Sequence, residues 1–578
     1  MVGQTDKEKE QLVNSISGSN LIEYTENIAK NVRLSGTVEE LASFHYVKKT
    51  LERFGLRPVL SFHDAYISLP LSAHLIVDGI EFPCITHSMS PSVDRLRGNL
   101  IYVNKKELVK EVISGNIVII EGLATPGIVH QLTKHNAMAA IFINSEHTYE
   151  MIVSPVWGNP TSENVDQLPT LPVVSVNRKT GEELKHLTTT KSEITGVVTT
   201  EVDTRIRPIP TLTVDIKNEP EHKDYVLFSG HIDSWHYGAM DNGSANAVML
   251  EVARILSEKK HNLKRNLRLA FWSGHSHGRY AGSTLYCDLH WEDIYKYCVM
   301  HVNIDSVGGK GANVLTQANC MAETKDIAKE VVLEVADQVF EGKRYGKAGD
   351  QSFWGTGVPS LFMGLSEQPP ATNQSSDAFS ELFGTGKSSG FGWWWHTTED
   401  KVDKLDKDNL IRDCQVYFLS IYKLLTDDIL PINQLAAIKD IENGIRSWQE
   451  KAKQHFDFST TMQLLERLEN EVGRLYHLIE KAELNSHQIQ LINETLKKLS
   501  RELVPINYVS GSRFDYDVAL QLPPVPSLIK INTLIDLNET DPEYFFIKTY
   551  LLRKRNEIYH SINEGLHAVQ SCLIQLNK

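Results

Sequence analysis

The sequence predicts a three-part α/β protein, and three changes of texture along its 578 residues carry that prediction. From about residue 208, β-branched and apolar runs alternate with amphipathic helical stretches, the pattern of a sheet with parallel strands. Between about 60 and 200 the runs are short and separated by Gly, Pro and Asn, which reads as a distinct β-rich module. Beyond about 430 the apolar residues follow three-four spacing and helices dominate. A chain this long exceeds a single core.

Residues 6 to 56 read as helical, with a capping-box pattern at Thr37-Val-Glu-Glu40 and a stop at Gly55. In the β-rich stretch, Asn116-Ile-Val-Ile-Ile120, Ala140-Ile-Phe-Ile143 and Val173-Val-Ser-Val176 are strands, with a helix near 126 to 138. The alternating region gives strands at Tyr225 to Ser229, Asn266 to Trp272 and Tyr297 to Ile304, and helices over 243 to 259 and 323 to 340. Leu464, Leu465, Leu468, Val472, Leu475, Tyr476 and Ile479 mark an amphipathic helix, Ile547 to Leu576 another, and Asn507 to Pro526 a long loop between them.

Composition narrows the function. A formal net charge of −14 and a pI near 5.9 disfavour nucleic acid and anionic membranes as partners, because phosphates would be repelled. Small molecules or short peptides are the expected ligands. The first residues contain no apolar core of a secretory signal, and no stretch has the length of a membrane span. Six cysteines without C-x-x-C spacing fit reduced thiols. The expected location is cytoplasmic.

In α/β sheets the chemistry gathers beyond the carboxyl ends of the strands, and His231, His275 and Asp305 each follow a predicted strand. Four segments together supply a metal-type donor set: His231-Ile-Asp-Ser-Trp235, Met240-Asp-Asn-Gly-Ser244, Asn303-Ile-Asp305 and Trp395-His-Thr-Thr-Glu-Asp400. This mixture of carboxylate and imidazole suits zinc, or iron, manganese or nickel, rather than calcium. Asp241 has the character of a bridging carboxylate, and Asp233 of a group that orients the His231 ring.

The order of these segments resembles the co-catalytic zinc aminopeptidase and carboxypeptidase superfamily, the group of the glutamate carboxypeptidases and the transferrin receptor. H-x-D-S-W, D-x-x-S/G-G/A, N-x-D-x-x-G and aromatic-H-T-x-x-D stand here at 231–235, 241–245, 303–308 and 395–400, and Gly349-Asp-Gln-Ser-Phe353 resembles a further family segment one residue longer. The resemblance implies a zinc-peptidase-like α/β domain of mixed, mostly parallel sheet from residues 1–60 and 205–430. It also implies a protease-associated-like insertion over 61–204 and a helical, homodimer-forming domain over 431–578. It implies that His231 and Asp305 hold one divalent ion, that Asp241 bridges, and that His396 holds a second.

One stretch departs from the family. Where relatives carry Glu-Glu, the proton acceptor and a metal ligand, this chain reads His275-Ser-His277. The departure leaves His277 as the expected ligand beside His231, Asp241, Asp305 and His396. It leaves His275 as base or transition-state donor, with His277 and Asp233 also in the catalytic set and the exchange of roles between His275 and His277 open. Arg279, Tyr280 and Trp395 are expected to meet substrate. The expected activity is metal-dependent hydrolysis of an amide-type bond, with one or two ions, zinc first among the candidate metals, and histidine in place of the glutamate base. The rival expectations are a non-catalytic binding protein and a metalloenzyme of another reaction type, a lyase or isomerase.

Overall fold

The computed structural model describes residues 2–105, 108–191, 193–217, 223–258, 263–346, 349–370 and 390–577. Its centre is one mixed sheet. Ser360–Leu361, Cys298–Asn303, Tyr225–His231 and Asn266–Trp272 lie side by side and parallel. Every residue of Tyr225–His231 and Cys298–Asn303 is buried, as parallel strands covered on both faces must be. Helices Gly18–Ile28, Val38–Arg53, Ala245–Glu258 and Lys407–Thr426 contribute to the apolar core around them.

The β-rich stretch is less separate than its sequence texture predicts. Val93–Tyr102, Ile117–Glu121, Ala139–Ile143 and Val173–Val176 run parallel to one another. Strand Thr195–Ile216, 22 residues long, pairs antiparallel with Val93–Tyr102 through its first half and with Asn266–Trp272 through its second. Val59–Val77 follows it along nearly its full length, with one register shift between Pro70 and Ser72. Two long strands thus tie both regions into one hydrogen-bonded sheet.

The predicted N-terminal helical stretch divides into Val2–Asn14, Gly18–Ile28 and Val38–Arg53. Thr37 caps the third through Oγ1, which accepts from the Glu40 amide, but Glu40 bonds the Gly36 amide rather than closing a reciprocal box. Past residue 430, helices Gln434–Ala452, Ser459–Lys481, Ser486–Tyr508 and Pro542–Leu576 pack on one another, and their apolar faces join the core that covers the sheet. Among the described residues no helix is long and apolar enough to cross a membrane. All six cysteines are free.

Candidate metal centre

The candidate residues converge where parallel strands end. His231 closes Tyr225–His231, the 273–280 turn follows Asn266–Trp272, and Asp305 lies two residues past Cys298–Asn303. The strand ends must come unusually close. A Cβ on Gly230 would sit 2.9 Å from the Ile304 carbonyl and 3.2 Å from Asn242 Nδ2, so only glycine fits there. Asn242 completes the joint, donating to the Ile304 carbonyl and accepting from the Ser306 amide. Arg33, fully buried, donates to the carbonyls of Ile232 and Gly238 and fixes the loop after the strand.

His231 is 1% exposed. Its Nδ1 lies 2.9 Å from the Asp233 carbonyl, which only accepts, so the proton is on Nδ1 and the Nε2 lone pair faces inward. There it meets Asp241 Oδ1 at 3.3 Å and Asp305 Oδ2 at 3.5 Å, and Nε2 has no hydrogen-bond partner. Three electron-rich atoms facing one another in a buried site fit a shared cation. Ligand bonds of about 2.0–2.1 Å in a tetrahedral zinc site put ligand atoms about 3.3 Å apart, close to both separations. A proton competes for the same place: burial lowers the His231 pKa, but Asp305 and Asp241 outweigh it and raise it well above the ordinary value.

His275 stacks on His231, with ring centroids 3.7 Å apart. Its Nδ1 donates to Asp350 Oδ2 at 2.8 Å and its Nε2 stands 4.0 Å from Asp305 Oδ2. His231, His275 and Asp305 form a group whose ligating atoms all lie within 4.8 Å of one another. Asp350 is itself buried, and its other oxygen accepts from Ser283 Oγ. Asp350 lies in the 349–353 segment that resembles a family motif, but nothing in its spacing connects it to His275.

The structure does not bring His277 to this group. The ring is fully buried, with its Nδ1 bonded to Ser35 Oγ at 3.0 Å. Its Nε2 has no partner, and Trp235 packs beside it at 4.6 Å. Burial holds its pKa below the ordinary value, against the pull of Asp233. The turn is not an extended strand, so alternate residues do not share a face. Asp233 shapes that turn: its carboxylate accepts from the amides of His275 and Ser276 and from Ser35 Oγ. Burial opposes its ionisation, but His277, His231 and His275 prevail and hold it below the usual carboxylate range. Its backbone carbonyl, rather than its carboxylate, makes the close bond that orients His231.

Asp241 reaches both sides, with Oδ2 3.1 Å from His396 Nε2. Asp400 steadies it by accepting from the amides of Met240 and Asp241. His396 donates from Nδ1 to the Glu150 carbonyl, while the Trp235 indole N–H donates to its Nε2 at 3.1 Å. Trp395 stacks on His396 at 3.3 Å. Above the centre opens a cavity of about 440 Å³ lined by Asp241, His275, Asp305 and His396 together with Arg279, Tyr280 and Trp395. That volume suits a small molecule or short peptide side chain.

Residues 211–418 match the model of Peptidase family M28. The probable glutamate carboxypeptidase VP8 of Zea mays is 24% identical over 242 residues, 40% of this chain and 33% of that protein. Aminopeptidase YwaD of Bacillus subtilis (strain 168) is 24% identical over 298 residues, 51% of this chain and 59% of that protein. The chain therefore spans less than two thirds of the length of these curated relatives. Among solved structures, the aminopeptidase from Aneurinibacillus sp. strain AM-1 superposes with a TM-score of 0.54 at 19% identity, covering 72% of this chain and 96% of that one. The Peptidase M28 precursor from Shewanella amazonensis SB2B gives 0.56 at 16%, with the same coverage. The motif resemblance to the co-catalytic zinc peptidase superfamily stands, and the fold around the centre is the α/β fold of these aminopeptidases.

Proposed function

We propose that the protein is a metal-dependent hydrolase that cleaves an amide-type bond in a small molecule or short peptide, with a centre that differs from that of its relatives. The observation that carries this reading is the His231 Nε2 lone pair, buried without a partner between Asp241 and Asp305. In this reading His231, Asp241 and Asp305 hold one divalent ion, zinc by the chemistry of one imidazole and two carboxylates. When bound, such an ion polarises a carbonyl and makes water more acidic.

The remaining work falls to the chain. His275 is the proton acceptor: its Nδ1–H is held by Asp350, so Nε2 is free to take a proton from the attacking water and deliver it to the leaving nitrogen. Asp350 keeps the ring oriented and stabilises the imidazolium, the service a carboxylate gives histidine in hydrolytic triads. Asp233 sets the backbone that carries His275 and is a positioning residue. His277 is assigned to the scaffold of the turn, in place of the ligand role that the family resemblance leaves to it.

Metal analysis of protein prepared without chelators, followed by a screen of amides and dipeptides, tests the proposal. About one ion per wild-type chain and none in His231→Ala is expected. No stoichiometric metal in either would leave a binding protein as the reading; metal without any amide turnover would favour another metal-dependent reaction. His275→Ala that loses the ion would make His275 a ligand rather than the base, an assignment its place beside His231 and Asp305 also permits.

We also propose a homodimer through the C-terminal helices. Helix Pro542–Leu576 leaves Phe545, Phe546 and Ile574 exposed, at 68%, 69% and 60%. Because these helices share the core of the sheet, Phe545→Glu with Phe546→Glu in the full chain is a cleaner test than truncation. Sedimentation is expected to give a dimer for wild type and a monomer for the variant; a wild-type monomer overturns the idea. A cytoplasmic, membrane-independent and nucleic-acid-independent role remains part of the proposal, supported by the acidic charge balance.

A further inference from the structure

The β-rich region reaches the proposed base through a line of buried hydrogen bonds. Trp157, in that region between strands Ala139–Ile143 and Val173–Val176, donates its indole N–H to Ser352 Oγ at 3.1 Å. Ser352 Oγ lies 2.9 Å from Ser283 Oγ, and Ser283 donates to Asp350 Oδ1 at 2.8 Å. The other oxygen of Asp350 accepts the Nδ1–H of His275, also at 2.8 Å. Trp157, Ser352, Ser283 and Asp350 are 4%, 3%, 0% and 1% exposed.

The two ends fix the direction of the chain. An indole N–H can only donate, and an ionised carboxylate can only accept. Ser352 therefore accepts from Trp157 and points its own proton at Ser283, whose proton points at Asp350. The alternative acceptor for Ser283, the Tyr280 carbonyl, is farther away at 3.2 Å. Hydrogen bonds aligned head to tail in a buried setting polarise one another, and a member left unpaired there is costly.

The loop that carries Trp157 is held from two sides. The Gly158 amide donates to the Arg279 carbonyl, and the Ala519 amide donates to the Pro155 carbonyl. Position 158 has a φ of +69°, and a Cβ there would stand 2.3 Å from Thr284 Oγ1. Only glycine lets the loop lie this close to helix Ala281–Leu289, which carries Ser283. The Trp157 ring packs on Tyr280, with centroids 4.3 Å apart.

We propose that Trp157, Ser352 and Ser283 form a hydrogen-bond chain by which the β-rich region orients Asp350 and, through it, the proton acceptor His275. None of the three is among the described residues that line the cavity, so they are positioning residues that act through Asp350. Their effect on turnover rests on the hydrolase reading; the chain and its hold on the His275 ring do not.

Two measurements on the full-length, metal-loaded protein test this. The first is the rate at which diethyl pyrocarbonate acylates His275, followed by peptide mass spectrometry at one fixed pH, which needs no turnover. Asp350→Asn is expected to slow this labelling, and Ser283→Ala and Trp157→Phe to slow it by smaller amounts. The second is amide hydrolysis. Ser283→Ala is expected to lower kcat by about three- to tenfold and Trp157→Phe by about two- to fivefold, the scale of one hydrogen bond, with KM within about twofold and metal content unchanged. Because Ser283→Ala already cuts the chain, adding Trp157→Phe to it should lower either rate by less than about 1.5-fold further. Labelling unchanged in both single variants, losses that multiply in the double variant, or losses carried by KM would each overturn the proposal. A wild type that hydrolyses no amide while His275 labelling follows the chain would sink the hydrolase reading and leave the chain standing. Amide turnover that ignores both variants would do the reverse.

Discussion

His231 and His396 are held alike and used differently. Each donates Nδ1–H to a backbone carbonyl, and each turns Nε2 toward Asp241. On the His231 side Nε2 is unclaimed and a second carboxylate, Asp305, waits 3.5 Å away. On the His396 side the Trp235 N–H already occupies the lone pair, and the motif resemblance leaves Ser276 or His277 in the place of the family's second glutamate. A motif match counts candidate ligands, whereas affinity also depends on what else claims their electrons. The inequality of the two halves is what favours a single ion.

The largest test of that inequality is a pair of deletions. His231→Ala is expected to abolish metal content, and His396→Ala to leave about one ion per chain, both read by elemental analysis. Equal loss from both would erase the distinction between the halves. Next in size, His275→Ala should lower turnover by about 10² to 10⁴ with the ion retained. Asp350→Asn should lower it by about 10 to 100 through a poorly oriented ring, both measured as kcat at saturating substrate.

A smaller effect separates the two histidines of the turn. His277→Ala should cost about 2 kcal/mol in urea unfolding, as a buried ring lost from a packed site, while kcat stays within a few-fold. A metal-free His277→Ala protein would return the ligand role to that residue. Smallest of all, Trp235→Phe should release the His396 lone pair and raise metal content above one per chain at high zinc. No change there would mean that the missing carboxylate, rather than the indole, limits the second half.

Much of this was legible in the chain. His231 and Asp305 could be located because they follow strands, and Asp241 and His396 because short motifs carry them, while the strand Tyr225–His231 announces itself by the apolar run Tyr225 to Phe228. The turn at 275–277 was not legible. Alternation along a strand predicts that His275 and His277 share a face, but the backbone has already left the strand, and the Asp233 carboxylate gathers the amides of His275 and Ser276. Asp350 and Ser35 were invisible for another reason: each meets its histidine across a long sequence separation, through one hydrogen bond for Asp350 and two for Ser35, which no local pattern encodes. The same holds for the β-rich region, whose separate texture conceals the strands it shares.

Those shared strands, Val59–Val77 and Thr195–Ile216, have a mechanical consequence. They act as a double beam: one end pairs with the start of Asn266–Trp272, the middle lies against the 273–280 turn, where the Ser68 amide donates to the His277 carbonyl, and the other end pairs with Val93–Tyr102 of the β-rich module. Rotating the module away from the centre would require bending or unzipping a long antiparallel ladder rather than swinging a loop. Because residues of both regions line the cavity, its width behaves as a fixed gauge rather than as a closing mouth.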